Sequence, residues 1–337
     1  MINSSNSPLF ILAPMDDVTD TVFRQIVAGC SAPDLYFTEF VNVDGLQSPG
    51  RPKLLKKLQF VKSEGPLIAQ LWGKSPDNFL KTARQIADGS VAKELGLPEG
   101  VNFAGVDLNM GCPQKNEVNS GTCSALINDR PLADKIIRAT KRGLDGRLPL
   151  SVKTRTGFNE VDLSWHEFLL GYDLKMLTVH GRTRKQKSKV PADWEVIGKV
   201  RELRDRVASD TLIVGNGDVA NRNEGIKLAA KYGLNGIMIG RGIFNDPYAF
   251  SKESQWDNYS NTQKIELYRK HILIFKKTWM NNERPIQTLN RFCKLYINGF
   301  NGAKELRENF MQAKNINDLL DMIEQTMFKR PAAIVQR

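Results

Sequence analysis

Cys112 closes the run Val106-Asp107-Leu108-Asn109-Met110-Gly111-Cys112-Pro113. A short apolar run broken by Gly-Cys-Pro sets the thiol on the loop where a strand ends. A free thiol titrates near ~8.5 and is mostly protonated at neutral pH. It is a nucleophile if a neighbouring base takes its proton, and a proton donor if none does. Gly215-Asn216-Gly217-Asp218 and Gly240-Arg241-Gly242 offer different chemistry. Glycines let backbone N–H groups approach an anion closely, and an arginine beside them completes a phosphate site. Lys153 with Arg155, and His180 with Arg182, are further polar pairs at the ends of apolar runs.

The elements that carry these residues form a regular series. Apolar and β-branched runs fall at 10–15, 35–40, 67–72, 106–110, 150–155, 176–180, 211–216 and 236–240. Between them lie stretches of helical spacing, among them 77–87, 131–143, 194–207 and 223–232. Strand and helix in alternation predict parallel strands joined by crossover helices, and eight units predict a closed (β/α)8 barrel, a TIM barrel of class α/β. After Asp246-Pro247 the pattern becomes helical throughout, at 263–280, 285–296, 303–313 and 316–327. The expected organisation is a barrel over 1–250, a linker at about 251–261 and a C-terminal all-helical domain over 262–337.

In such a barrel the active site lies at the C-terminal ends of the strands. The residues there are Met15, Glu39, Gln70, Asn109 with Cys112, Lys153 with Arg155, His180 with Arg182, Asn216 with Asp218, and Gly240 with Arg241. Nearly all are polar. The two glycine-rich pieces fall after the seventh and eighth strands, the usual phosphate position of the fold, and predict a phosphorylated cofactor such as FMN. Lys153 and His180 would then reach a flavin, and a lysine near the N1/O2 edge would stabilise its anionic reduced form. His166 and His271 fall in helical stretches and take no role.

Composition bounds the reading. The chain of 337 residues carries 48 Lys+Arg against 37 Asp+Glu, a net +11, which favours a polyanionic partner. Residues 251–337 hold +6 of that excess and residues 1–250 hold +5, so the last quarter is the more charge-dense. The four cysteines form no C-x-x-C pair, which argues against structural zinc, an iron–sulfur cluster or a disulfide framework. No apolar run reaches the ~18 residues of a membrane span, and the N-terminal segment reads as lacking a secretory signal. A reducing, cytoplasmic location is expected, with no metal and no membrane.

The chain resembles the bacterial tRNA-dihydrouridine synthases. The matching pieces are Ala13-Pro14-Met15 with Thr19-Asp20, Thr38-Glu39-Phe40, Ala69-Gln70-Leu71, the run from Asp107 to Pro113, Ser151-Val152-Lys153-Thr154-Arg155, Val179-His180-Gly181-Arg182-Thr183-Arg184, Gly215-Asn216-Gly217-Asp218 and Ile239-Gly240-Arg241-Gly242. Arg291 to Tyr296 and Gly302 to Arg307 extend the match into the tail. The resemblance implies FMN in the barrel, NADPH as reductant and reduction of the C5–C6 bond of a D-loop uridine in tRNA. Hydride would pass from flavin N5 to C6 and a proton from Cys112 to C5. It implies that Pro14, Met15, Asp16, Gln70, Lys153, His180, Asn216, Gly217, Asp218, Gly240 and Arg241 hold FMN, and that Asn109, Arg155, Arg184 and Gln186 face the uridine. The helical tail would bind tRNA. Three features depart from the pattern: Cys123, read as packing; the loop 186–190, with two lysines at 187 and 189; and a small insertion at 89–104. The competing functions are an FMN barrel acting on a free pyrimidine and an RNA-binding protein without catalysis.

Overall fold

The computed structural model describes residues 7–279 and 283–329. The expected helix at 263–280 and the expected tail to 337 therefore run partly outside the described residues. Nine strands form one parallel sheet: β1 (Leu9–Leu12), β2 (Tyr36–Phe37), β3 (Val41–Asn42), β4 (Leu67–Trp72), β5 (Gly105–Met110), β6 (Leu150–Arg155), β7 (Met176–His180), β8 (Leu212–Asn216) and β9 (Gly236–Ile239). Each strand from β4 to β9 pairs in parallel with the next, and β1 pairs with β9. A single bridge from Ile11 to Leu35 closes the circle on the other side. This is the (β/α)8 barrel.

The second barrel strand is split into β2 and β3, both against β4, rather than continuous over 35–40. The reason is local. Gln70 N–H donates to the Thr38 hydroxyl (3.0 Å), and that hydroxyl donates to the Glu39 carbonyl (2.7 Å), so a side chain replaces a rung of the ladder. Strand β1 ends at Leu12, which leaves Pro14, Met15 and Asp16 on the loop that follows.

Side chains alternate across a strand, so every second residue points into the barrel. Ile11, Leu35, Phe37, Ile68, Met176, Val214 and Met238 form a fully or nearly buried apolar cluster there. Two residues onward along the same faces stand Glu39, Gln70, Thr178 and Asn216. The barrel is thus filled by an apolar layer below and a polar layer at the C-terminal ends.

The crossover helices start on side-chain caps that sit where the strand-end loops turn back. Ser75 caps helix Pro76–Ala87, Asp129 caps Arg130–Leu144, Asp162 caps Leu163–Leu170, Asp193 caps Trp194–Val207 and Asn221 caps Arg222–Tyr232. Helices Pro76–Ala87 and Arg130–Leu144 pack so closely that a Cβ on Gly143 would fall 2.4 Å from the Leu80 carbonyl oxygen. The insertion at 89–104 holds a short helix, Ser90–Glu94, whose Glu94 pairs with Arg51 at 2.6 Å.

The chain divides into two compact units, one of residues 1–21 and 33–241 and one of 22–32 and 242–337. Most of the first crossover helix, Thr21–Ser31, therefore belongs with the C-terminal helices and not with the barrel over 1–250. The second unit contains helices Asn261–Thr278, Asn290–Tyr296, Ala303–Phe310 and Ile316–Lys329. Phe23 packs on Phe292 (4.8 Å between ring centres) and Phe292 on His271 (4.7 Å). His271, bonded to the Tyr296 hydroxyl at 2.9 Å, is kept neutral by burial, with its pKa pushed down to about 3. Among the described residues no helix is long and apolar enough to cross a membrane.

Gly143→Ala should force the two helices apart and lower stability by about 1–3 kcal/mol, as overpacking does. Thermal unfolding checks it. An unchanged midpoint would mean that the helices part without cost.

Candidate active site

The polar layer is tied together by one chain of hydrogen bonds that ends at the Cys112 backbone. Asp107, fully buried on β5, accepts from Ser151 Oγ (2.6 Å) on one oxygen and from Gln70 Nε2 (2.7 Å) on the other. The Gln70 amide is thereby oriented, and its oxygen accepts from Asn109 Nδ2 (3.2 Å). Asn109 Oδ1 in turn accepts from the N–H groups of Gly111 (3.1 Å) and Cys112 (3.0 Å), which shapes the loop carrying the thiol. Burial raises the Asp107 carboxyl to about 6, against the hydrogen bonds from Ser151 and Gln70 and the charge of Lys153. Lys153 is pushed down to about 8 by burial and by Arg155, while Asp107 and Cys112 pull the other way.

A second network joins the ends of β7, β8 and β9. The buried Arg182 guanidinium donates to the Val190 carbonyl (2.5 Å), pairs with Asp218 and lies 3.1 Å from His180 Nε2. Asp218 also pairs with Arg241 (3.1 Å) and accepts from Ala192 N–H (3.0 Å). Asn216 Nδ2 donates to the Met238 carbonyl (2.8 Å). Gly217 has φ +133°, and a Cβ there would sit 2.6 Å from the Ala192 Cβ and 3.3 Å from the His180 ring. Burial, reinforced by Lys153, Arg155, Arg182 and Arg241, drives the His180 pKa far below the usual histidine range. The imidazole is neutral, so a ring nitrogen accepts from Arg182 and the other carries the proton.

The dihydrouridine synthase family model matches residues 11–332. This chain belongs to the dihydrouridine synthase family. It is 41% identical over 326 residues to a protein of Staphylococcus aureus strain Mu50 named "Probable tRNA-dihydrouridine synthase", covering 95% of this chain and 94% of that one. A Bacillus subtilis strain 168 protein, "Probable tRNA-dihydrouridine synthase 2", is 42% identical over 321 residues, covering 94% and 93%. A Staphylococcus epidermidis relative of strain RP62A is 41% identical over 329 residues, covering 96% of each.

The remaining site residues of this chain fall into distinct places. Arg155 spends its guanidinium on backbone: Nε on the Gly111 carbonyl (2.7 Å) and one terminal nitrogen on the carbonyls of Thr183 (3.2 Å) and Lys187 (3.1 Å). It thus fastens the Cys112 loop to the loop after β7. Arg184 lies over the Phe158 ring at 4.9 Å and its buried Nε has no partner. The Gln186 side chain accepts from Thr183 N–H (2.7 Å) and so holds its own turn. Met15 N–H donates to the Thr19 hydroxyl (2.9 Å), while Asp16 pairs with Lys57. Asp16, Asp17 and Glu39 bring three carboxylates within 4.8 Å of one another, with the Lys57 ammonium among them.

Several residues that matter here were not singled out by sequence reasoning. His166, given no role, places one ring nitrogen 3.1 Å from the Arg155 carbonyl and the other 3.0 Å from the Asp162 carbonyl, and so supports the strand end under Arg155. Asp107 stands inside the matched motif, and its burial on the interior face is the signal that could have marked it. Cys123, read as packing, is buried. The turn at Cys123–Ile127 folds back over the Cys112 loop: Ser124 Oγ donates to the Cys112 carbonyl at 2.7 Å.

Asn109→Ala leaves the Gly111 and Cys112 N–H groups and the Gln70 oxygen unpaired. Each orphaned buried group costs about 1–3 kcal/mol, so a fall in the thermal midpoint is expected together with looser protection of the Cys112 amide in hydrogen exchange. Wild-type protection at Cys112 would show that the loop is held without Asn109.

Proposed function

We propose that the protein reduces the C5–C6 bond of a uridine in tRNA, with Cys112 as the proton donor, and that it works in the cytoplasm with NADPH as reductant. The observation that carries this reading is a partly exposed thiol, Cys112, on the loop at the C-terminal end of β5 in a cation-lined barrel of a member of the dihydrouridine synthase family. A half-buried ammonium, a neutral imidazole and an arginine-rich corner meet there.

FMN fits this mouth. The Thr178 hydroxyl, on the interior face between Met176 and His180 and paired in register with Lys153, is buried without a hydrogen-bond partner. Gly217 has no room for a Cβ, which would fall 2.6 Å from the Ala192 Cβ and 3.3 Å from the His180 ring, so its backbone stays bare beside that ring. Arg241 and the backbone at Gly217 and Gly240 would hold the phosphate, with Arg182 and Asp218 fixing the arginine geometry. Lys153, His180, Gln70, Asn216 and the loop Pro14-Met15-Asp16 would hold the remainder. When bound, FMN supplies hydride chemistry at C6 of the uracil.

The protein's own part is the proton and the placement. The Cys112 thiol stands on a loop fixed by Asn109 and Arg155 and delivers its proton to C5. Asn109, Arg155, Arg184 and Gln186 form or brace the lip over the uridine, and the unpaired Arg184 Nε is the donor there that no protein group uses. The base must leave its loop stack to reach the barrel mouth. The basic helical tail, 262–337, would carry the rest of the tRNA through phosphate contacts, with Lys276, Lys277, Arg291 and Lys294 as candidates.

Incubating the purified protein with FMN, NADPH and unmodified tRNA should yield tRNA that has gained two hydrogens at one uridine, read by mass spectrometry of digests. Reduction of free uracil or uridine in place of tRNA would overturn the reading. Cys112→Ala should lower the rate by about 10^2 to 10^4, the usual worth of a general acid, with flavin content kept. A near wild-type rate in that variant would remove Cys112 from the chemistry.

Lys153 is charged below about pH 8 and loses its charge above it. Affinity for FMN, an anion, should therefore weaken as pH rises through about 8. Flavin fluorescence titrations should show that step in the wild type and not in Lys153→Met. The same step in both proteins would assign it to another group.

A further inference from the structure

We propose that the loop after β7, residues 182–190, is a clamp for the RNA backbone, with Lys185, Lys187 and Lys189 holding the phosphates that flank the uridine at the barrel mouth. The proposal rests on the reading of tRNA as substrate and adds to it the part of the barrel that grips the strand. Between Gly181 and Ala192 the chain carries five basic residues and no acidic one. They divide by position. Arg182 is buried and Arg184 is half-buried over the Phe158 ring, whereas Lys185, Lys187 and Lys189 are all exposed. None of these three lysines has a carboxylate partner among the described residues. The loop is also one of the places where the chain departs from the family pattern.

Lysines on a loop that must first be ordered lose part of their binding energy to that ordering. This loop is held in one shape beforehand. Arg184 and Lys185 N–H donate to the Gly157 and Phe158 carbonyls (both 2.9 Å), and Lys189 N–H donates to the Gln186 carbonyl (3.0 Å). Thr183 and Gln186 exchange two bonds, N–H to side chain in each direction, at 2.7 and 3.2 Å. Two enclosed arginines tie the loop from inside: Arg155 donates to the carbonyls of Thr183 and Lys187, and Arg182 to that of Val190. Lys187 has φ +53°, a left-handed conformation rarely adopted by a residue with a side chain, and the Arg155 bond to its carbonyl fixes it. The enclosed cations thus serve the loop's own backbone, and the exposed ones are left for a ligand.

The ligand is identified by where the loop stands and by its charge. A base drawn out of its stack costs a few kcal/mol, and the phosphates on either side of it stay outside with the strand. That strand must run along the rim formed by the loops at the strand ends, of which this is one. Contacts to the flanking phosphates offset the cost of unstacking. Lys185 and Lys189 are four residues apart, at most ~14 Å between their Cα atoms. The three ammonium groups therefore serve neighbouring phosphates of one stretch. A dinucleotide reductant also carries phosphates, but a row of exposed cations spread along a loop fits the repeating charge of a strand better.

The test measures binding of labelled, unmodified tRNA to the FMN-loaded protein by fluorescence anisotropy over a range of KCl. Lys185→Gln, Lys187→Gln and Lys189→Gln should each lower the slope of log K against log salt by about 0.7–0.9, the release of one phosphate's counterions. Because the binding lines converge toward about 1 M salt, each variant should bind about five- to eightfold more weakly at about 0.1 M. The corresponding Arg variants, which keep the charge, should restore the slope. The KM for tRNA should rise in step with the loss of affinity, and the KM for NADPH should not. An unchanged slope in all three Gln variants overturns the clamp and makes the loop a solvated surface. An equal loss of affinity in the Gln and Arg variants overturns it as well, since shape and not charge would then be at stake. A raised KM for NADPH with tRNA binding intact assigns the lysines to the reductant and overturns it too. Binding is read without turnover, so a protein that binds tRNA through these lysines yet reduces no uridine would overturn the proposed reaction and support the clamp.

Discussion

The two-residue period of the strands governs everything at the barrel mouth. In a closed barrel every second side chain must fit inside, so residues two apart on one strand occupy successive layers of the same interior. Ile68 and Gln70, or Met176 and Thr178, illustrate the result: an apolar floor and a polar rim built from one face. The rim is still largely enclosed by protein, and enclosed polar groups need partners. This is why Ser151, Asp107, Gln70 and Asn109 form a continuous chain, and why that chain ends on the backbone of the Cys112 loop. The loop's shape is set from the barrel interior outward.

Charge at the mouth follows a similar logic. Lys153, Arg155, Arg182 and Arg241 crowd one side of the barrel, and their combined field, on top of burial, keeps His180 uncharged. Asp218 offsets part of this by pairing with two arginines, and Asp107 by facing Lys153. A site with a residual positive field and few compensating carboxylates suits a ligand that brings its own negative charge. Arg155 is different in kind. Its donors go to carbonyls of two loops, so it acts as a tie between them, and its side chain is almost wholly enclosed.

The barrel was legible in the sequence because parallel strands buried on both faces read as apolar runs, and all but the first two end within a residue of where the runs end. The site residues were legible because strand ends in this fold converge. What the sequence did not show depends on contacts between distant segments. The break between β2 and β3 comes from the Thr38 hydroxyl meeting a backbone N–H on another strand. The bracing role of His166 needs the Arg155 carbonyl beside it. Cys123 lies eleven residues after Cys112, and no periodicity in that stretch signals that a short turn folds back onto the Cys112 loop and sets Ser124 on the Cys112 carbonyl.

The second unit has a consequence for synthesis. Its first piece, residues 22–32, emerges from the ribosome long before its companions, which begin at Gly242. At translation rates of about 5–20 residues per second, that is a wait of roughly 10–40 s. During it, Val22, Phe23, Ile26 and Val27, all buried in the finished protein, have none of their final partners from beyond residue 241. Strand β1 precedes this helix and pairs with β9, so its ladder too is completed only late. Residues 22–32 therefore need shielding from other chains until their companions beyond residue 241 are made.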